Sequence, residues 1–211
     1  MQRLQNPDYS TIQNIIFDLG GVILNIDYGL TIVAFKELGI ADFQLQFTQH
    51  EQSQLFDNLD KGKVTAEEFR NIVRALLPQK VDEWQIDRAW NAMLLDLPEE
   101  RLKRIGEFKN SYRIFLLSNT NVIHIDCVHR YLQRKFNVPN FNEYFERVYY
   151  SFEIGMRKPD KEIFERVLLE NNLKPAETLF IDDTLQHIEG AAKLGIKTHW
   201  LDVRRESILS L

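Results

Sequence analysis

Asp18, Ser118, Lys158 and the pair Asp182-Asp183 follow one another along a chain of 211 residues, each at or near the end of an apolar run. Asp18 follows Ile15-Ile16-Phe17 and precedes Gly20-Gly21. Ser118-Asn119 follows Leu116-Leu117, Lys158 stands before Pro159 in Gly155-Met156-Arg157-Lys158-Pro159, and Asp182-Asp183 follows Leu179-Phe180-Ile181. A carboxylate that ends a buried strand normally sits in a site, because burying an unpaired charge is costly. There Asp18 could be a nucleophile, a metal ligand or both. Attack of a carboxylate on phosphorus divides hydrolysis into two displacements through an aspartyl phosphate. Two adjacent carboxylates repel, and one is protonated unless a cation holds both. Oxygen ligands at strand ends suit Mg2+, which binds through one or two carboxylates and keeps several waters. A hydroxyl and backbone N–H groups where Ser118-Asn119 lead into a helix make an anion site. Lys158, biased to an extended backbone by Pro159, could neutralise a phosphate or the acids as a point charge.

Each residue alone has a plainer reading. Asp18 could be a turn residue, Asp183 or Thr184 a helix cap, Ser118-Asn119 a cap and Lys158 a solvated lysine. Capping explains one acid after Leu179-Phe180-Ile181 but not two, and the joint occurrence favours a site.

The elements that must position these residues alternate. Strands are expected at Asn14–Leu19, Arg113–Ser118, Arg147–Phe152, Thr178–Ile181 and Lys197–Leu201. Helices are expected at Asn121–Phe136, Pro159–Asn172 and Thr184–Leu194, the last closed by Gly195. This order predicts an α/β fold, a Rossmann-like parallel sheet with helices on both faces and its site at the carboxyl ends of the strands. The stretch 28–97 breaks the alternation. Helices are expected there at Leu30–Leu38, Phe43–Phe56, Ala66–Leu77 and Asp82–Leu95, with a capping box at Thr65 to Glu68. The expected organisation is a hydrolase core of residues 1–27 and 98–211 and an inserted helical-bundle cap of residues 28–97. A cap over a strand-end site excludes water and selects substrates. Trp84 and Trp90 read as cap core. Met1–Ser10 reads as disordered, and Arg204-Arg205-Glu206 as a solvated helix face.

Composition excludes several classes. The chain is 44% hydrophobic and 27% charged, with a net charge of −5, and it has no basic stripe for nucleic acid. The N-terminus lacks the apolar run of a signal peptide, and nothing approaches the ~18 apolar residues of a membrane span. The single cysteine, Cys127, reads as a small buried hydrophobe and suits a reducing compartment, the cytoplasm. A monomer is expected.

The ordered set Phe17-Asp18-Leu19-Gly20-Gly21-Val22, Leu117-Ser118-Asn119, Lys158-Pro159 and Ile181-Asp182-Asp183 resembles the four motifs of the haloacid dehalogenase (HAD) superfamily. Glu189-Gly190-Ala191-Ala192 and Leu194-Gly195-Ile196 are similar to the segment after its fourth motif. The resemblance implies that Asp18 is the nucleophile and a Mg2+ ligand, joined by the Gly20 carbonyl and Asp183 directly and by Asp182 directly or through water. It implies that Ser118 and the Asn119 amide hold phosphate oxygens, and that Lys158 bridges phosphate and Asp18. One position departs from the pattern. Two residues after the nucleophile the phosphatases of this superfamily usually carry an Asp as general acid and base, and here stands Gly20. General acid–base catalysis contributes on the order of 10²–10⁴-fold, so its loss hurts poor leaving groups most. That point and the likeness to the sugar 1-phosphate phosphatase branch together predict a Mg2+-dependent phosphatase for a small phosphomonoester such as a sugar 1-phosphate.

Asp27 and His124 could replace the missing acid. Their plainer readings, a cap of the first inserted helix and an ordinary helix surface, are preferred. His50, His129, His187 and His199 show no metal-ligand spacing. The alternatives are a 2-haloacid dehalogenase, which attacks carbon and gives no reason for Asp182-Asp183; a sugar phosphomutase, which needs the acid absent at Gly20; and a non-catalytic phospholigand-binding protein.

Overall fold

In a computed structural model, which describes residues 9–40 and 54–211, five strands form one parallel sheet in the order β3-β2-β1-β4-β5. They are β1 (Asn14–Phe17), β2 (Arg113–Ser118), β3 (Arg147–Tyr150), β4 (Thr178–Asp182) and β5 (Lys197–Trp200). Ile16 aligns with Phe115 on one side and Phe180 on the other. β1 and β4 are buried along their whole length, as expected of central strands covered on both faces.

Successive side chains point to opposite faces, and the packing follows that period. Ile15, Phe17, Ile114, Leu116, Leu179 and Ile181 pack in one core with Leu102, Ile105 and Phe108 of α5 (Glu99–Lys109) and Ile125 and Val128 of α6 (Val122–Phe136). On the other face Ile16, Phe115, Leu117 and Phe180 meet Ile163, Phe164 and Val167 of α8 (Lys161–Glu170) and Ala191 of α9 (Leu185–Ala192). The expected doubly covered sheet is present.

The segment after β1 is helical. It holds α1 (Tyr28–Leu38), α2 (Gln54–Asp60), α3 (Ala66–Leu76), α4 (Glu83–Trp90) and a 3₁₀ turn at Asn91–Met93. These helices have their own apolar core, in which Phe35, Phe56, Phe69, Val73, Ile86 and Trp90 meet Ile123 of α6. Thr65 and Glu68 form the expected capping box. Of the expected helix Phe43–Phe56, residues 43–53 lie outside the described residues, as do His50 and most of Met1–Ser10.

Several local expectations are corrected. Residues 98–112, where the sequence reading sets no element, contain α5 (Glu99–Lys109), whose buried Leu102, Ile105 and Phe108 recur at helical spacing among charged neighbours. The third strand stops at Tyr150, and Ser151–Ile154 make the one-turn helix α7, ended by Gly155 at φ 71°. The helix expected from Pro159 begins at Lys161 after an Asp160 cap, and the Lys158–Pro159 bond is cis. The 203–205 segment is a turn rather than a helix face. Trp90 is core, as expected, but Trp84 is 59% exposed. Cys127 is half-buried. Among the described residues no helix is long and apolar enough to cross a membrane.

Candidate active site

Parallel pairing of β1, β2 and β4 brings their carboxyl ends together, and the residues that follow converge there. Asp18 stands one residue past β1, Ser118 ends β2, and Asp182 ends β4. Oxygens of Asp18, Asp182 and Asp183 lie within 4.8 Å of one another. Lys158 is completely buried among them. Its Nζ donates to Asp18 Oδ1 at 2.7 Å and to Asp182 Oδ2 at 2.6 Å.

Two features hold that lysine in place. The Asn119 side chain clamps its backbone, accepting from Lys158 N at 2.9 Å and donating to Lys158 O at 2.9 Å. Helix α9 then packs against the following residue, where a Cβ on Gly190 would stand 2.6 Å from Pro159 O. The Asn119 side chain therefore serves Lys158, and only its backbone N–H is left for the expected phosphate role. Ser118 is buried, and its hydroxyl has no protein partner among the described residues. It lines a small cavity of about 80 Å³ together with Asp18, Gly20, Asp183, Tyr28 and His124.

The carboxylates are not equivalent. Burial pushes Asp182 up, but Lys158 and His187 outweigh it and hold the carboxyl below the usual range. Its oxygens accept from the Thr184 N–H at 2.8 Å and lie 3.0 Å from His187 Nδ1. Asp18 is raised, by burial first and by the Asp182 charge, with Lys158 opposing. Asp183 is pushed up to about 7 by burial and by the charges of Asp18 and Asp182. Lys158 is raised, because its two carboxylates outweigh the cost of burial. Three carboxylates thus share one buried ammonium. The all-oxygen set with excess negative charge fits a hard divalent cation.

Glycines shape the turn after β1. Gly21 has φ +74°, and a Cβ there would stand 2.2 Å from Asp183 Oδ2. No hydrogen bond among the described residues ends on the Gly20 carbonyl, which leaves it free for the expected ligand role. A Cβ on Gly20 would stand 3.1 Å from Ile26 Cδ1, so an acidic side chain there would press on the tip of Ile26.

Asp27 is the cap of α1, accepting from Gly29 N at 2.8 Å. His124 is not on a helix surface. It is buried in the cavity wall, stacked on Trp90 at 4.9 Å with an interplanar angle of 10°, and burial holds its pKa at about 3. His124 therefore supplies no acid at neutral pH, and the Asp27 carboxylate is engaged as a helix cap. His187, absent from the expected site, is part of it. The signal lay in its place, since residues in the first turn of a helix that starts at a strand end face back toward that end.

A second cavity of about 230 Å³ adjoins the first through Tyr28, Asn119, Thr184 and His187, and Asp57, Asp60, Lys61, Arg157 and Gln186 line it. A larger one, about 640 Å³, opens at the amino ends of the strands beside Lys109 and Tyr112, away from all these groups.

The family model described as "Hydrolase: haloacid dehalogenase-like hydrolase" matches residues 12–195. The chain belongs to the haloacid dehalogenase-like hydrolases. A D-ribitol-5-phosphate phosphatase from Bacteroides thetaiotaomicron is 33% identical over 189 residues, 89% of this chain and 90% of that one. A HAD family enzyme from Bacteroides thetaiotaomicron, solved as a variant in complex with magnesium and inorganic phosphate, superposes with a TM-score of 0.84. It is 35% identical and covers 92% of this chain and 100% of its own. A HAD-like family hydrolase from Porphyromonas gingivalis superposes at 0.81, with 32% identity and coverage of 90% and 91%. An L-2-haloacid dehalogenase from Xanthobacter autotrophicus shares the fold alone, at a TM-score of 0.60 and 16% identity, covering 90% of this chain and 77% of its own.

Proposed function

We propose that this chain is a Mg2+-dependent phosphomonoester hydrolase for small sugar or sugar-alcohol phosphates, acting through an aspartyl phosphate on Asp18. The observation that carries the reading is the cluster of Asp18, Asp182 and Asp183 around one buried lysine. Such a cluster repels a phosphate dianion unless a cation intervenes. Asp18, Asp182, Asp183 and the Gly20 carbonyl would hold Mg2+, which supplies positive charge for the phosphoryl oxygens. Binding of Mg2+ and phosphate by a relative supports this choice.

The chain's own residues then divide the work. Asp18 Oδ1 is held by Lys158, and its other oxygen attacks phosphorus as the ester oxygen leaves and takes a proton from solvent. Water next attacks the same phosphorus, gives a proton back to solvent, releases phosphate and restores the Asp18 carboxylate. Ser118 and the Asn119 N–H bind phosphoryl oxygens, and Lys158 balances the charge that moves between Asp18 and the phosphate. The helical segment 28–97 acts as the cap. On this reading the chain acts as a monomer, and its single cysteine, Cys127, fits the cytoplasm.

The substrate is the finer question. Gly20 favours an acidic leaving group such as an anomeric oxygen, whereas the D-ribitol-5-phosphate phosphatase points to a primary alcohol. Phosphate release from a sugar 1-phosphate, its 6-phosphate isomer, ribitol 5-phosphate and acetyl phosphate separates the two. The same assay, with Mg2+ or a chelator, tests the mechanism through Asp18→Asn. The expected result is metal-dependent turnover that falls by about 10³-fold or more in the variant. Chloride release from a 2-haloacid without metal would instead support a dehalogenase. Ester binding without turnover would support a non-catalytic role.

A further inference from the structure

His124 has no task in the reaction just described, yet it lines the same cavity as Asp18, Ser118 and Asp183. Its position is fixed from three sides. The ring lies flat on Trp90, which is stacked on its far face by Phe56 at 5.0 Å and 14°. Trp90 Nε1 donates to Asn121 Oδ1 at 3.2 Å. His124 Nδ1 lies 2.8 Å from Asn91 Oδ1. An acceptor oxygen at that nitrogen places the proton on Nδ1, so Nε2 carries a lone pair. Burial disfavours the imidazolium, which keeps Nε2 an acceptor at neutral pH. Among the described residues Nε2 has no partner, and it is not one of the sealed, unsatisfied polar atoms. It therefore opens to the cavity. The same cavity carries an apolar part, Leu24, Ile26, Met93 and Leu94, beside its polar groups. A substrate hydroxyl entering this space would lose water partners, and Nε2 offers it an acceptor that no protein group has taken.

We propose that His124 is a substrate-binding residue whose Nε2 accepts a hydrogen bond from a hydroxyl of the leaving group, selecting polyol phosphates over plain alkyl phosphates. The inference rests on the phosphomonoester reading and deepens it. A pocket that hydrogen-bonds a substrate hydroxyl discriminates against the analogue that lacks it, because its own polar atom is then left dry and unpaired.

The test is steady-state kinetics of the Mg2+-loaded wild type and His124→Phe. The substrates are the fastest polyol phosphate of the panel above and n-propyl phosphate, which has no free hydroxyl. Phenylalanine keeps a ring on Trp90 and removes both nitrogens. The expected result is a loss of about tenfold or more in kcat/KM for the polyol phosphate, mainly through KM, with the propyl ester within about twofold. Equal losses on both esters, or no loss on either, overturn the inference. Should the variant fail to fold, the wild type alone decides. Glycerol 1-phosphate must then exceed propyl phosphate by about tenfold in kcat/KM, and parity overturns the inference. A wild type that hydrolyses esters without this preference sinks only the role of His124. A wild type that releases no phosphate from any ester sinks the phosphomonoester reading as well.

Discussion

At the residue scale the site depends on one buried cation. Among the described residues Lys158 alone bridges Asp18 and Asp182 with an ammonium, and it is wholly removed from water. A buried ion pair is weak support for stability while intact, but breaking it leaves an uncompensated charge. Lys158→Ala strands two carboxylates together in the interior. The expected outcome is a loss of about 3–5 kcal/mol in denaturant unfolding without metal and a fall in phosphate release of about 10²-fold or more. Mg2+ should recover part of the stability, because it replaces the missing charge, and little of the activity, because the contact to Asp18 Oδ1 stays absent. Unchanged stability in chelator would mean that water reaches the pair.

At the element scale the inserted helices are tied to the sheet by an aromatic stack. Trp90 of α4 lies between Phe56 of α2 and His124 of α6 and donates to Asn121, whose Nδ2 in turn donates to Asp60 Oδ1 at 3.1 Å. Gly62, at φ +64°, lets the end of α2 approach α7, since a Cβ there would stand 2.2 Å from Phe152 O. Trp90→Ala should cost about 3–5 kcal/mol by cavity formation. It should also raise KM for large substrates more than for acetyl phosphate, as the wall that carries His124 loosens. Trp90→Phe keeps a ring in the stack and should cost less. A Trp90→Ala protein as stable as the wild type would show that the insertion contributes nothing to the packing of the core.

At the scale of the whole molecule the site couples pH, metal and stability. Asp183 rises from an ordinary carboxylate value to about 7, so the folded chain binds a proton there that the unfolded chain releases near pH 4. The protonated form stabilises the folded state fully below the unfolded value, and that contribution is lost as pH rises through about 7. Asp182 has the opposite sign: held below the usual range, it contributes above its unfolded value and loses that contribution in acid. In chelator, the Asp183 contribution should decline from pH 5 to pH 8, by at most about 2.5 kcal/mol. Mg2+ replaces the proton, so the gap in Tm between metal-loaded and metal-free protein should widen over the same window and nearly close at pH 5. A gap independent of pH would show that Asp183 does not face the metal.

The sequence by itself determined the parallel α/β sheet, the helical insertion and the family. The strands are short apolar runs, the glycines and caps mark their ends, and Asp18, Ser118, Lys158 and Asp182-Asp183 each stand where a strand end or loop must deliver them. These are local signals, readable within a few residues. The same reading passed over α5, because charged residues surround its three apolar positions, and it left His187 out, because it sought metal-ligand spacing among the histidines rather than a first-turn residue facing back to the strand end. Only the tertiary structure decided that Asn119 holds Lys158, that the tip of Ile26 lies beside Gly20, and that His124 turns from a helix into the cavity against Trp90. The Asn119–Lys158 and His124–Trp90 contacts join segments distant in the chain, and the Ile26–Gly20 contact depends on how the turn after β1 folds back. Register, close approach and shared burial create such contacts, and none of these is a property of one residue or its neighbours.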